Sequence, residues 1–217
     1  MDTWGLGGFG SLGDGTTTDR STPAPVPGLT GIKQMAAGEY MGYALRSDGT
    51  LFAWGSGYLG TGTTSSATPV AVPLAGVTQV AEGLFSSEAV RSDGSLFGWG
   101  PNGLLELGIG GNPGNHLVPV QNIYLSNVSE IALSYESGLA FGQYDAATVP
   151  SAIGYSQSEA ATALQAAGFA LGRVSQVVDI TCDYIGEVKT QTPAAGTLAR
   201  LGTAVSIGIG KPGGKCL

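Results

Sequence analysis

Arg46-Ser47-Asp48-Gly49-Thr50-Leu51-Phe52-Ala53-Trp54-Gly55 returns 45 residues later as Arg91-Ser92-Asp93-Gly94-Ser95-Leu96-Phe97-Gly98-Trp99-Gly100. Asp-Gly between two apolar runs predicts a hairpin, and a tight type I′ turn needs both central residues at positive φ. Tyr43-Ala44-Leu45 reads as the strand entering the turn, and Leu51-Phe52-Ala53-Trp54 as the strand leaving it. Asp2-Thr3-Trp4-Gly5 is the end of a further copy. Trp4, Trp54 and Trp99, the only tryptophans, therefore share one repeat position. The expected structural markers of the repeat are these three residues with Asp48, Gly49, Asp93 and Gly94.

A period of about 40–50 residues points to propeller blades or a solenoid. Outward from Trp-Gly the units keep one order. A glycine loop comes first, Gly5-Leu6-Gly7-Gly8-Phe9-Gly10-Ser11-Leu12-Gly13-Asp14-Gly15 in the first copy. A Thr-rich stretch and a proline segment follow, Ser21-Thr22-Pro23-Ala24-Pro25-Val26 matching Ala67-Thr68-Pro69-Val70-Ala71-Val72. Next is a strand, Ile32-Lys33-Gln34-Met35-Ala36-Ala37-Gly38, matching Val77-Thr78-Gln79-Val80-Ala81-Glu82-Gly83. With the hairpin, each unit holds about four short strands, the number in a propeller blade.

These residues resemble the regulator of chromosome condensation repeat. Gly10-Ser11-Leu12-Gly13-Asp14-Gly15-Thr16-Thr17-Thr18-Asp19-Arg20-Ser21-Thr22-Pro23 is the closest stretch, and the resemblance covers about residues 1–142. The third unit departs from it: its loop reads Gly100-Pro101-Asn102-Gly103-Leu104-Leu105-Glu106-Leu107-Gly108, and Ser134 replaces the glycine that ends the strand. Ser137-Gly138-Leu139-Ala140-Phe141-Gly142 then runs on into Gln143-Tyr144-Asp145 without an Asp-Gly turn. The resemblance implies a partial propeller of about three blades over residues 1–144. Family propellers close with about seven blades, within the usual range for the architecture. An open arc exposes strand edges and invites association.

Glycine and proline together make up about 22% of the 217 residues, below the roughly 25–30% that marks disordered low-complexity chains. An ordered, turn-rich β protein is expected. The net charge is −7, and all of the excess lies before Asp145, where four basic residues (Arg20, Lys33, Arg46, Arg91) meet eleven acidic ones. An acidic surface repels phosphate, which argues against a nucleic-acid partner; its other reading is plain solubility. Met1-Asp2-Thr3-Trp4 begins inside a repeat without a basic, then apolar, leader. This reads either as a cytoplasmic product released by lysis or assembly, or as a fragment whose signal lies upstream. No run of about 18 apolar residues is present, so no membrane span is expected.

Composition shifts at Asp145, and residues 145–217 read as a second domain. Ser156-Gln157-Ser158-Glu159 is a capping box opening a helix, and Gly168 supplies its left-handed end. Strands are predicted over 169–178, 186–191 and 203–209, the last alternating Ala204, Ser206 and Gly208 with Val205, Ile207 and Ile209. Val149-Pro150, Ala166-Ala167-Gly168-Phe169, Gly186-Glu187-Val188, Gln191-Thr192-Pro193-Ala194-Ala195-Gly196-Thr197 and Gly202-Thr203-Ala204-Val205-Ser206-Ile207 resemble a PASTA domain, over about residues 146–210. That resemblance implies a small α+β unit, one helix on a three-stranded sheet, and an association with peptidoglycan fragments. A single copy lacks the avidity of linked sites, so a spacer role stands beside it.

Cys182 and Cys216 are the only cysteines. A disulfide would staple a thin core, contributing about 2–4 kcal/mol; free thiols are expected in a reducing compartment. His116, the only histidine, falls in Gly114-Asn115-His116-Leu117, read as a polar loop without a positioned partner. Asp14 and Asp19 lack the spacing of a calcium loop. The glycine loops lack the Gly-Lys-Ser/Thr of a phosphate cradle. No nucleophile–base pair stands out. The sequence therefore predicts no enzyme, no metal and no cofactor, but a structural or interaction protein. The first reading is a phage virion component, a decoration or fibre protein whose partners are other copies or other virion or surface proteins. The alternative is a bacterial cell-surface protein binding peptidoglycan or a surface glycan through the PASTA-like domain.

Overall fold

Each Asp-Gly turn is built by one carboxylate. The computed structural model describes residues 1–109, 114–135 and 137–213. In it the loop is Ser47-Asp48-Gly49, and Gly49 alone of the Asp-Gly pair takes positive φ, at 85°. Gly49 N–H donates to Arg46 C=O at 3.0 Å, and the Asp48 carboxylate accepts Thr50 N–H at 2.9 Å. The expected type I′ turn is therefore corrected to a three-residue loop closed by a left-handed glycine. The aspartate side chain satisfies the amide that the longer loop frees. Asp93, Gly94 and Ser95 repeat the arrangement, with Gly94 at φ 77°.

The chain divides into two compact units, Met1–Tyr144 and Asp145–Leu217. In the first, β1 (Asp2–Gly5) and β2 (Arg20–Pro25) pair antiparallel as a two-stranded sheet. Then β3 (Ile32–Ala37), β4 (Met41–Arg46), β5 (Leu51–Ser56) and β6 (Ser65–Ala71) form an antiparallel sheet in chain order. A second four-stranded sheet repeats this with β7 (Val77–Glu82), β8 (Ser87–Arg91), β9 (Leu96–Pro101) and β10 (Asn115–Gln121). Finally β11 (Leu125–Leu133) and β12 (Gly138–Tyr144) pair alone. Over the described residues the unit is thus a partial propeller of two whole blades flanked by two half blades. The first half holds a blade's third and fourth strands, the last its first and second.

Blades are joined through the turns and through a repeated glutamine. Gly49 C=O accepts Val77 N–H of the next blade at 3.0 Å, and Gly94 C=O accepts Val128 N–H at 3.0 Å. Gln34 bonds both the C=O and the N–H of Val80, at 2.8 and 3.1 Å, while Gln79 Oε1 accepts Ile131 N–H at 3.1 Å. Between the whole blades lies the main apolar core, with Tyr43, Leu45, Leu51, Leu59, Val77 and Trp99 buried.

The second unit holds β13 (Ala146–Thr148), α1 (Gln157–Ala166), β14 (Ala170–Asp179), β15 (Val188–Thr192), β16 (Leu198–Arg200) and β17 (Ala204–Pro212). The main sheet runs β14-β17-β15, with β17 central, parallel to β14 and antiparallel to β15. Both halves of the capping box are made: Glu159 N–H donates to Ser156 Oγ at 3.3 Å, and Ser156 N–H to the Glu159 carboxylate at 2.8 Å. Gly168 follows the helix at φ 83°. Leu164 packs with Val149, Phe169 and Val205 under the sheet. The short pair β13–β16 has no counterpart among the expected strands, because three residues are too few to show a period.

Candidate functional site

The three repeat tryptophans meet different surroundings. Trp54 is 2% exposed and donates from Nε1 to Ser11 C=O at 2.9 Å. Trp99 is 0% exposed and donates to Tyr43 Oη at 3.0 Å. That hydroxyl also takes Ser87 Oγ–H at 3.1 Å and donates to Tyr58 C=O at 3.0 Å, so a buried polar network ties the two whole blades together. Trp4 is 61% exposed. Asp48 and Asp93 act within their own turns, each beside the arginine two residues earlier, at 3.8 Å from Arg46 and 3.3 Å from Arg91. The Arg46 guanidinium lies over the Phe52 ring, 4.6 Å from its centroid.

Two carboxylates that no sequence motif marks lie on β7 and β8. Among the described residues no partner stands within full hydrogen-bonding geometry of either oxygen of Glu82, or of Oε2 of Glu88, although these atoms are buried. Burial pushes the Glu82 carboxyl up to about 9, against a weaker pull from the Gly38 backbone, and Glu88 up to about 7 by burial alone. Their sequence signal is that Glu82 and Glu88 replace Ala37 and Tyr43 of the preceding repeat.

The remaining candidates take structural places. Asp14 accepts Thr16 N–H and pairs with Arg20 at 2.6 Å, while Asp19 accepts Gly7 N–H at 2.9 Å. His116 is corrected from loop to strand: it stands in β10 opposite Gly100. Strand β10 begins directly after Gly114, and His116 Nε2 is buried without a hydrogen-bond partner among the described residues. Among these residues no group of three or more His, Cys, Asp or Glu is placed to hold a metal.

The open ends of the arc carry apolar surface. On β12 every residue is exposed, with Leu139 at 71% and Phe141 at 76%. A depression of about 730 Å³ lies beside β1, lined by Trp4, Leu29, Ile32 and Met35 among others. Such an edge is a template for strand pairing.

In the second unit the end of β14 is pinned by a buried aspartate. Asp179 pairs with Lys189 Nζ at 2.7 Å and accepts N–H from Tyr184 at 2.7 Å and from Thr181 at 3.1 Å. These bonds, the lysine first, hold its carboxyl far below the usual carboxylate range. Cys182, on the loop so organised, is disulfide-bonded; Cys216 lies outside the described residues. Gln191 fixes the opposite end, accepting Ala152 N–H at 2.7 Å and donating to Pro150 C=O at 3.0 Å. Along α1 a depression of about 550 Å³ is lined by Tyr155, Ser158, Glu159, Thr162, Ala163 and Ala166. No helix among the described residues is long and apolar enough to cross a membrane.

Comparison with known proteins follows these divisions. Two profiles described as regulator of chromosome condensation (RCC1) repeat match residues 3–45 and 32–61, and a PASTA domain profile matches residues 147–211. The ultraviolet-B receptor UVR8 of Arabidopsis thaliana is 42% identical over 55 residues, 24% of this chain and 12% of that protein. The regulator of chromosome condensation of Xenopus laevis is 42% identical over 50 residues, 23% of this chain and 12% of that protein. Among solved structures, Prp20p of Saccharomyces cerevisiae superposes with a TM-score of 0.56 at 21% identity, covering 66% of this chain and 39% of its own. Human WBSCR16 gives 0.54 at 24% identity, covering 63% and 37%. These two likenesses carry the fold alone, and the chain spans well under half the length of each relative. Two profiled regions on two structural units give one reading: the chain carries regulator of chromosome condensation repeats over residues 3–61, followed by a PASTA domain over residues 147–211.

Proposed function

We propose that the protein is a non-enzymatic interaction protein of a bacterial cell surface, engaging peptidoglycan or a peptide through its PASTA domain and a protein through its repeats. The PASTA match over residues 147–211 carries the reading. The depression along α1 supports it: an aromatic ring, hydroxyls and a carboxylate beside small residues suit a sugar or short peptide. The repeat side is supported by relatives of the same fold, since Prp20p is described with binding to Gsp1p and histones and has been solved with Kap60. The net charge of −7 turns the partner away from phosphate polymers. Nothing in the matches supports the virion reading, and the cell-surface alternative takes its place.

Co-sedimentation of the full chain with purified peptidoglycan sacculi tests this. The protein is expected in the pellet, released when the sacculi are digested to soluble fragments, with at least a several-fold loss of binding in Tyr155→Ala. A chain that stays in the supernatant at every sacculus concentration overturns the proposal.

A further inference from the structure

The two half blades are complementary, and the whole blades show how they would fit. In the second blade β4 pairs β5 as Gly42↔Trp54, Tyr43↔Ala53, Ala44↔Phe52 and Leu45↔Leu51. In the third, β8 pairs β9 as Ser87↔Trp99, Glu88↔Gly98, Ala89↔Phe97 and Val90↔Leu96. Strand β12 occupies the place of β4 and β8, because Ile131↔Ala140 repeats Met35↔Ala44 and Val80↔Ala89. Among the described residues no strand pairs with its outer edge, and the residues that come next enter the second unit. Strand β1 occupies the place of β5 and β9. The repeat register then sets Gly138 opposite Trp4, Leu139 opposite Thr3, Ala140 opposite Asp2 and Phe141 opposite Met1.

We infer that β12 of one copy of this chain pairs antiparallel with β1 of a second copy, completing a four-stranded blade that the two copies share. Three observations converge on it beyond the strand count.

The first is the tryptophan socket. Trp54 is held between Gly42 and Gly13, where an added Cβ would come within 2.6 and 2.9 Å of the ring. Trp99 lies as closely on Gly60, at 2.8 Å. The corresponding positions in the last blade are Gly138 and Gly108, and the nearest neighbours of a Cβ there are Glu88 Oε1 at 3.1 Å and Asn122 Nδ2 at 3.2 Å, not an indole. The socket is glycine-lined and without its ring among the described residues, while Trp4 is the repeat tryptophan left exposed.

The second is apolar burial. Phe141 stands where Leu45 and Val90 are 0% and 2% exposed. Met35 stands where Val80 is 2% exposed, yet is itself 62% exposed. Leaving residues of this size in water forgoes the main favourable term of folding and association.

The third is the blade-to-blade amide. Gln34 and Gln79 each reach the next blade's first strand, at Val80 and Ile131. On β11 that position is Glu130, whose carboxylate is an acceptor for one backbone N–H. The next first strand in a ring is β3 of the second copy, where Met35 corresponds to Val80 and Ile131.

The association is strand addition, with backbone bonds giving affinity and the tryptophan giving register. It is head-to-tail, so it must close or polymerise. Among the described residues each copy brings two whole and two half blades, and two such copies joined at both ends make six, inside the range of about 4–8 of closed propellers.

Light scattering of the full chain across concentration reads the particle mass. The expected species is two copies of the 21.8 kDa chain. Trp4→Asp and Phe141→Asp alter opposite ends at side chains exposed in the single copy, so each is expected to fold and run as a monomer. Mixed together they restore one intact junction, and a two-copy species should reappear. A monomer at every concentration overturns the pairing and leaves the β12 edge to a strand of a different protein. A species larger than two copies overturns the closed ring. A dimer indifferent to Trp4→Asp, or variants that fail to complement each other, overturns the head-to-tail junction.

Discussion

Glu82 is the residue whose chemistry departs furthest from its surroundings. Its carboxyl is raised from the ordinary 4.5 to about 9 because burial penalises the charge. A group with a raised native value binds more protons folded than unfolded between those two values, so its contribution is full below about pH 4.5 and is lost as the pH rises towards 9. Glu88, raised to about 7, adds to the same slope in the lower part of that range. Denaturant stability of the repeat unit is therefore expected to fall from pH 5 to pH 9, by at most about 1.4 kcal/mol per pH unit for each group. Glu82→Gln should flatten the curve and raise stability at pH 8. Unchanged pH dependence in the variant would show that Glu82 does not carry it. In the sequence only their replacement of Ala37 and Tyr43 of the preceding repeat sets these glutamates apart, and a single charged residue in an alternating strand otherwise reads as its solvent face.

At the scale of elements, the hairpin turn is where sequence and geometry nearly coincide. Asp-Gly marks a turn between two strands, but the turn class depends on a bond from the Asp48 side chain to Thr50 that a dipeptide rule does not contain. Gly49 sits at φ 85°, and a Cβ there would lie 3.1 Å from Gly76 Cα of the next blade. Gly49→Ala is expected to cost about 1–3 kcal/mol through the left-handed strain and the contact. Urea denaturation of the variant reads this, and a change below about 0.5 kcal/mol would remove the turn from the account of blade coupling. In the second unit we propose that the disulfide of Cys182 closes on Cys216. Reduction should then destabilise that unit by roughly 2–4 kcal/mol. The intact chain should show no reactive thiol before reduction, and two free thiols in the untreated protein would rule the bond out.

Over the whole molecule, the repeat is legible in the sequence because blades are built by local rules. Period, turn glycines, alternating strands and the Trp-Gly start all act within about 45 residues, and two whole blades form where those signals are complete. The capping box and the left-handed Gly168 are legible for the same reason, since each bond spans only a few residues. The parallel pairing of β14 with β17 is not, because strands this far apart in the chain are matched by the packing of the intervening segment rather than by their own alternation. The unequal fates of three tryptophans with one motif also lie beyond the sequence. Burial of an indole depends on which blade follows, and only the folded arc shows that Trp54 and Trp99 have a glycine-lined neighbour while Trp4 stands at an open end. Local patterns specify what each strand is. Long-range packing, which depends on what stands on the far side of each sheet, decides which surfaces remain for a partner.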